Sequence, residues 1–350
     1  MRFQELNGDQ RRETVNTRQR YAAWRAALAD LEHYKGSMVW AEDRGAQYLV
    51  RSAYGSRPGI RRQRSLGRRS PETERLKAEF EEGRAAAKER LAAVQAVLER
   101  QGGINRAVGL GRVPLLGARI IRAIDGARLL GGGIRVVGTN AVYAYEAVSG
   151  VFVEATLTTT EDMDLLFDAR RRLNFATSGD VPERSLLSIL RRVDRSFTRM
   201  PATFRATNRD GYFVDLIRPM PSPPWASHPE KLGDDEDDLT AVDVAGLHWL
   251  SEAPSFEAVA IDESGSPLRI VAPDPRAFAV HKWWLSHQPS RDPSSRRRDA
   301  EQARAVAQLV IQFMPHLPYD RKEIEVVPKE AFDAARPLFA PPPASGTGFP

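Results

Sequence analysis

An α+β fold is what this 350-residue sequence predicts, and three observations carry the expectation. Helical periodicity fills the first third, short β-rich runs broken by Gly and Pro fill the middle, and two more helical patterns follow at 275–313. The chain is long enough for two or three cores. We divide it into a mostly helical basic module with a small hairpin (1–130), a sheet domain (131–272), a helical segment (273–335) and a disordered Pro/Gly/Ser-rich tail (336–350).

Tyr21, Trp24, Leu28 and Leu31 form an apolar stripe at spacings of three and four, which predicts a helix over 9–34 that Gly36 ends. Residues 37–41 and 47–51 read as a hairpin turning at Asp43-Arg44-Gly45. The stretch from Tyr54 to Arg69, punctuated by Gly55, Pro58, Gly59 and Gly67, reads as a loop. Ser70-Pro71-Glu72-Thr73-Glu74 then opens a helix to about Gln101, with a serine cap, proline at the first position and acids in the first turn. Another helix is expected over 115–130. Gly131-Gly132-Gly133 breaks the pattern, and Ile134-Arg135-Val136-Val137-Gly138 begins a strand. The expected order is then a helix at 141–148, a strand at 156–167, helices at 168–172 and 185–197, strands at 202–205 and 212–217, and an irregular acidic stretch at 220–238. A strand pair at 256–261 and 268–271 precedes helices at 275–286 and 294–313.

The composition, with 42% hydrophobic and 28% charged residues, is that of an ordinary soluble globular chain. No apolar run is long enough to span a membrane, and the N-terminus lacks the apolar centre of a signal peptide. With no cysteine there are no disulfides, thiol nucleophiles or Cys-ligated zinc, and a reducing cytoplasm fits. The net charge of +5 is uneven: residues 1–130 hold roughly 26 Lys/Arg against roughly 15 Asp/Glu. Arg57, Arg61, Arg62, Arg64, Arg68 and Arg69 suit phosphate oxygens, so this module reads equally as a surface for a polyanion such as RNA or as a solvated arginine-rich face.

Chemistry concentrates in three carboxylates. In Glu161-Asp162-Met163-Asp164-Leu165-Leu166-Phe167 the two aspartates are two apart, so a strand sends both to one face. About fifty residues later, Tyr212-Phe213-Val214-Asp215-Leu216-Ile217 reads as a buried strand with a third acid at its centre. Three acids on one face repel unless something cationic lies among them, and hard oxygen ligands are what Mg²⁺ or Mn²⁺ prefers. An isolated Asp-x-Asp is more often a solvated turn; the glycine turn upstream and the strand-borne Asp215 downstream raise the metal reading.

A strand ending in Gly-Thr, a helix, a strand with Asp-x-Asp and a later strand with a lone Asp resemble the nucleotidyltransferase superfamily of the DNA polymerase β kind. Phe278-Ala279-Val280-His281-Lys282-Trp283-Trp284, followed by Arg296-Arg297-Arg298-Asp299, is similar to the helical segment of bacterial minimal nucleotidyltransferases and of the nucleotidyltransferase toxins of abortive-infection systems. The resemblance implies a mixed sheet with flanking helices, with Gly138, Thr139 and Asn140 seating an NTP at a helix N-terminus. It also implies Asp162, Asp164 and Asp215 holding two divalent metals, and Lys282 and Asp299 completing the site. NMP would pass to an acceptor hydroxyl with pyrophosphate release. The implied acceptor is RNA, such as a tRNA 3′ end, and an antitoxin or regulatory protein is an implied partner. Thr139 stands where serine or glycine is usual, and the interval from Gly138 to Asp162 is longer than in polymerase β relatives, which calls for an extra hairpin or a longer helix.

The rival reading is a catalytically inactive nucleotide- or nucleic-acid-binding regulatory protein, against which the three clustered acids argue. Lys282 reads equally as a phosphate contact or as a helix lysine reaching solvent past Trp283-Trp284, and Asp299 as a cap or a partner of Arg296 or Arg297. Gly109-x-Gly111 and Gly131-Gly132-Gly133 read as turns, Arg170–Arg172 as a solvated face and Asp234–Asp238 as an acidic loop. The six histidines lack zinc-site spacing, and only His281 stands beside a candidate residue.

Overall fold

The computed structural model describes residues 3–54, 61–168, 185–221, 230–232 and 235–340. Helix α1 (Gly8–His33) starts from a reciprocal cap in which the Asn7 side chain accepts from Gln10 N and the Gln10 side chain accepts from Asn7 N. Strands β2 (Ser37–Asp43) and β3 (Ala46–Tyr54) pair antiparallel across a turn where Arg44 and Gly45 both have positive φ, 49° and 73°. The loop expected over 54–69 is instead a third strand, β4 (Arg61–Arg68), for residues 61–68, while 55–60 lie outside the described residues. Pairing with β3 and packing of Leu66 on the Met38, Leu49 and Phe80 cluster overrode the loop-like composition; Gly67, at φ 131°, falls where the β3–β4 register shifts.

Helix α2 (Pro71–Ala107) has the expected Ser70 cap and first-position proline. It runs past Gln101, through Gly102 and Gly103, and another backbone approaches it there. Asn105 Nδ2 donates to Gly265 O at 2.8 Å, and a Cβ on Gly265 would collide with the Gly102 carbonyl. The close approach is set by the missing side chain of Gly265, since a Cβ on Gly102 would meet only ordinary contact and one on Gly103 open space.

Helix α3 (Leu115–Gly126) buries Ile120, Ile121 and Ile124 in the same core as Ile134, Val136, Met163 and Leu165. The boundary anticipated at 130 therefore separates two elements of one core. The central six-stranded sheet has the order β5 (Ile134–Val137), β7 (Asp162–Phe167), β10 (Phe213–Pro219), β9 (Arg205–Thr207), β8 (Thr198–Arg199), with β11 (Val242–Val244) also pairing β10. The β7–β10 and β10–β11 pairs are parallel and the others antiparallel, which makes the sheet mixed. The interval from Gly138 to Asp162 holds a 3₁₀ turn (Gly138–Ala141), α4 (Val142–Ser149), β6 (Val151–Phe152) and α5 (Ala155–Thr158). Thus the strand expected from 156 begins only at 162, and β6 pairs with β1 (Gln4–Glu5) from the chain's start.

One face of this sheet is apolar. Val136, Met163, Leu165, Val214 and Leu216 join α3 and α6 (Leu186–Val193) in the main core. The alternate residues Val137, Leu166 and Ile217 meet a second cluster from α7 (Leu247–Glu252), α8 (Pro275–Ser286) and α10 (Lys329–Ala335). Helix α9 (Pro293–Phe313) packs beside α8, and β12 (Ser255–Ile261) with β13 (Pro267–Pro273) forms the expected antiparallel pair. Strand β11 and helices α7 and α10 were not anticipated. The expected tail is ordered at its start, where Arg336–Phe339 forms a 3₁₀ turn and Phe339 stacks on Tyr319 at 3.8 Å; residues 341–350 lie outside the described residues, as does the helix expected over 169–172.

Candidate active site

The strand period and the β7–β10 register together place the acids. Asp164 lies directly opposite Asp215 in a parallel pair, and Asp162 opposite Phe213, so Asp162, Asp164 and Asp215 leave the same face of adjacent strands. They project on the side of Val137 and Leu166, away from the main core. Their mutual influence appears in Asp164, whose pKa rises from the ordinary aspartate value of 3.8 to about 6. Desolvation is the largest cause, followed by the negative charge of Asp162; Asp215 adds to it, while Lys282 and Arg291 oppose it. Desolvation followed by the Asp162 charge likewise raises the neighbouring Tyr212 phenol.

Gly138 closes the edge of this face. Its φ is +60°, and a Cβ there would overlap the Asp164 carboxylate and stand 3.1 Å from its Cγ. Only glycine meets both demands, the left-handed backbone and the close approach. Asn140 Nδ2 donates to the Asp162 carbonyl at 2.8 Å, tying the turn to the acid strand. Thr139 Oγ1 accepts from Gln302 Nε2 of α9 at 3.1 Å, a tether with no sequence signal beyond a glutamine on a buried helix face.

Lys282 is buried on α8 rather than reaching solvent, and its Nζ donates to Asp299 Oδ1 at 2.7 Å. Arg291, from the α8–α9 connection, donates through Nε to Asp299 Oδ2 at 2.7 Å. Asp299 thus orients two cations toward the acidic face, and its partners are Lys282 and Arg291 rather than Arg296 or Arg297. Arg291 has no sequence signal, because a loop arginine carries no periodicity. His281 is buried beside Trp249 and Trp284 with Nε2 unpartnered, and burial holds its pKa down to about 3. It is a neutral packing residue.

Asp215 has its own cation. Arg205, opposite it on β9, donates Nε to Oδ1 at 2.6 Å and Nη2 to Oδ2 at 2.5 Å. Among the described residues no three acidic or histidine side chains form a ready metal-holding group. The donor chemistry still fits a divalent ion: hard oxygens only, one carboxylate raised to about 6 by desolvation and its neighbours' charge. A groove of about 490 Å³ lies elsewhere, between α1, α2 and α3, and none of the three acids lines it.

The fold and these residues define an α+β protein with a carboxylate cluster on one face of a mixed sheet, beside a glycine turn and a buried lysine. A nucleotidyltransferase family model matches residues 116–327, more than half of the chain, and the chain belongs to that family. The general activity of the family is transfer of a nucleotidyl group, which implies an NTP as substrate. No curated protein and no solved structure matches. No helix among the described residues is long and apolar enough to cross a membrane.

Proposed function

We propose that the protein transfers an NMP from an NTP to an acceptor hydroxyl. The register match of Asp164 with Asp215, beside Gly138, carries this reading. Asp162, Asp164 and Asp215 would hold Mg²⁺ or Mn²⁺, which when bound stabilises charge on the attacking and leaving oxygens. Lys282 and Arg291, fixed by Asp299, face the triphosphate and offset its charge. The Gly138–Asn140 turn presents backbone N–H groups to phosphate oxygens. Asp215 accepts the proton of the acceptor hydroxyl as its oxygen bonds to the α-phosphorus; the bond to the β-phosphate oxygen breaks, and pyrophosphate leaves.

RNA is the acceptor class we favour. Arg64, Arg68 and Arg69 are exposed on or beside the three-stranded sheet, and Arg69 lies over the Trp40 ring at 5.1 Å, an arrangement suited to phosphates and bases. A protein of the cytoplasm with an antitoxin or regulatory partner accords with this reading. Incubation with each labelled NTP, ATP included, Mg²⁺ and total RNA tests it: label on RNA together with released pyrophosphate supports it, and none with any nucleotide or metal refutes it. One observation favours the second reading, a catalytically inactive nucleotide- or nucleic-acid-binding regulator: the two-pronged hold of Arg205 on Asp215. Nucleotide binding without pyrophosphate release would establish that one.

A further inference from the structure

The Arg205–Asp215 pair is built into the sheet rather than formed by chance between long surface side chains. The β9–β10 register sets the two residues opposite each other, and the guanidinium lies over the Phe213 ring at 4.9 Å and the Phe204 ring at 5.7 Å. Both Asp215 oxygens are engaged, and its side chain is only 9% exposed against 34% for Arg205. The other two acids differ: Asp162 accepts from the Thr160 hydroxyl and Asp164 meets the Gly138 turn, and among the described residues no arginine donates to either, although both feel the charge of Arg205 and Asp164 that of Arg291 as well. The face therefore carries one acid held on both oxygens by an arginine and two acids that are not so held. An arginine fork and a divalent ion compete for the same oxygens.

We propose that Arg205 is a resident counter-cation that withholds Asp215 from divalent metal until a phosphate group draws the guanidinium away. Arg205 has the geometry for this exchange, because phosphate offers the same paired oxygens as carboxylate and the partly exposed arm can swing while Asp215 stays in its strand. Metal engagement by Asp215 then depends on nucleotide or acceptor phosphate, whereas Asp162 and Asp164 take metal without it. The inference rests on the nucleotidyl-transfer reading only for the source of that phosphate.

The test is Mn²⁺ titration of the nucleotide-free protein, followed by the electron paramagnetic resonance of free Mn²⁺. Arg205→Gln should bind Mn²⁺ about tenfold more tightly than the parent protein, since removing one partly screened positive charge beside the acids is worth about one such factor. Adding Asp215→Asn to Arg205→Gln should cancel the gain. Equal Mn²⁺ binding by the parent and a folded Arg205→Gln variant, or a gain that survives Asp215→Asn, overturns the proposal. Should Arg205→Gln not fold, Arg205→Lys decides: it keeps the charge and loses the two-pronged hold, so a smaller gain supports the proposal and no gain overturns it. Failure of the nucleotidyl-transfer reading shows separately, as absent labelled transfer by the parent protein whatever the Mn²⁺ titration gives.

Discussion

Removing the Asp164 charge should stabilise the metal-free protein while ending its activity. The carboxylate titrates at about 6 in the fold against 3.8 for an ordinary aspartate. Below about pH 4 it is protonated in folded and unfolded chains alike and costs nothing. As pH rises from there the unfolded chain ionises while the folded chain keeps its proton, so stability falls until the folded group also ionises near 6. The full cost, present above 6, is about 3 kcal/mol from two units at about 1.4 kcal/mol each, and less where water reaches the carboxylate. Asp164→Asn keeps the shape and removes the charge. Urea melts in EDTA should show the variant more stable than the parent by about 1–3 kcal/mol at pH 7.5, with the gap closing by pH 4. Mg²⁺ should raise the stability of the parent more than that of the variant. A variant that is less stable at pH 7.5, or a gap unchanged between pH 4 and 7.5, would refute the electrostatic account of the site.

Gly138→Ala should lose transfer activity and about 1–3 kcal/mol of stability, because a Cβ in a left-handed backbone would also press on Asp164; calorimetry and a transfer assay read both, and a neutral effect counts against the turn's role. Asp299→Ala leaves buried Lys282 without its partner, with an expected loss of about 3 kcal/mol in chemical unfolding; an unchanged midpoint would show that the pair holds nothing. The His281 imidazole should stay neutral across pH 5 to 8, since its pKa is held down to about 3; NMR shifts of the ring that titrate in that interval would contradict its burial.

The elements legible in the sequence were those with strong local signals. The Ser70-Pro71 start and the Asp43–Gly45 turn state their conformation within a few residues. The acid face was legible for a related reason, since period-two alternation puts Asp162 and Asp164 together whatever the partner strand. Strand β4 and the close approach to α2 at Gly102 were not legible, because each depends on a neighbour distant in sequence: β3 in one case, the Gly265 backbone in the other. Arg205, Arg291 and Gln302 belong to the same category. Each reaches the site through a contact that only tertiary structure creates, and none lies in a pattern that residue types alone reveal.

The 37-residue α2 also sets a length scale. Phe80, which packs on the arginine-bearing sheet, and Gly102, which meets the Gly265 backbone, are separated along the helix axis by about 33 Å at about 1.5 Å per residue. Because glycine-to-backbone contact pins one end of that rod, the sheet is carried at a set reach from the pinned end. The distance between the sheet and the pinned end is thus fixed by the residue count of one helix rather than by either contact.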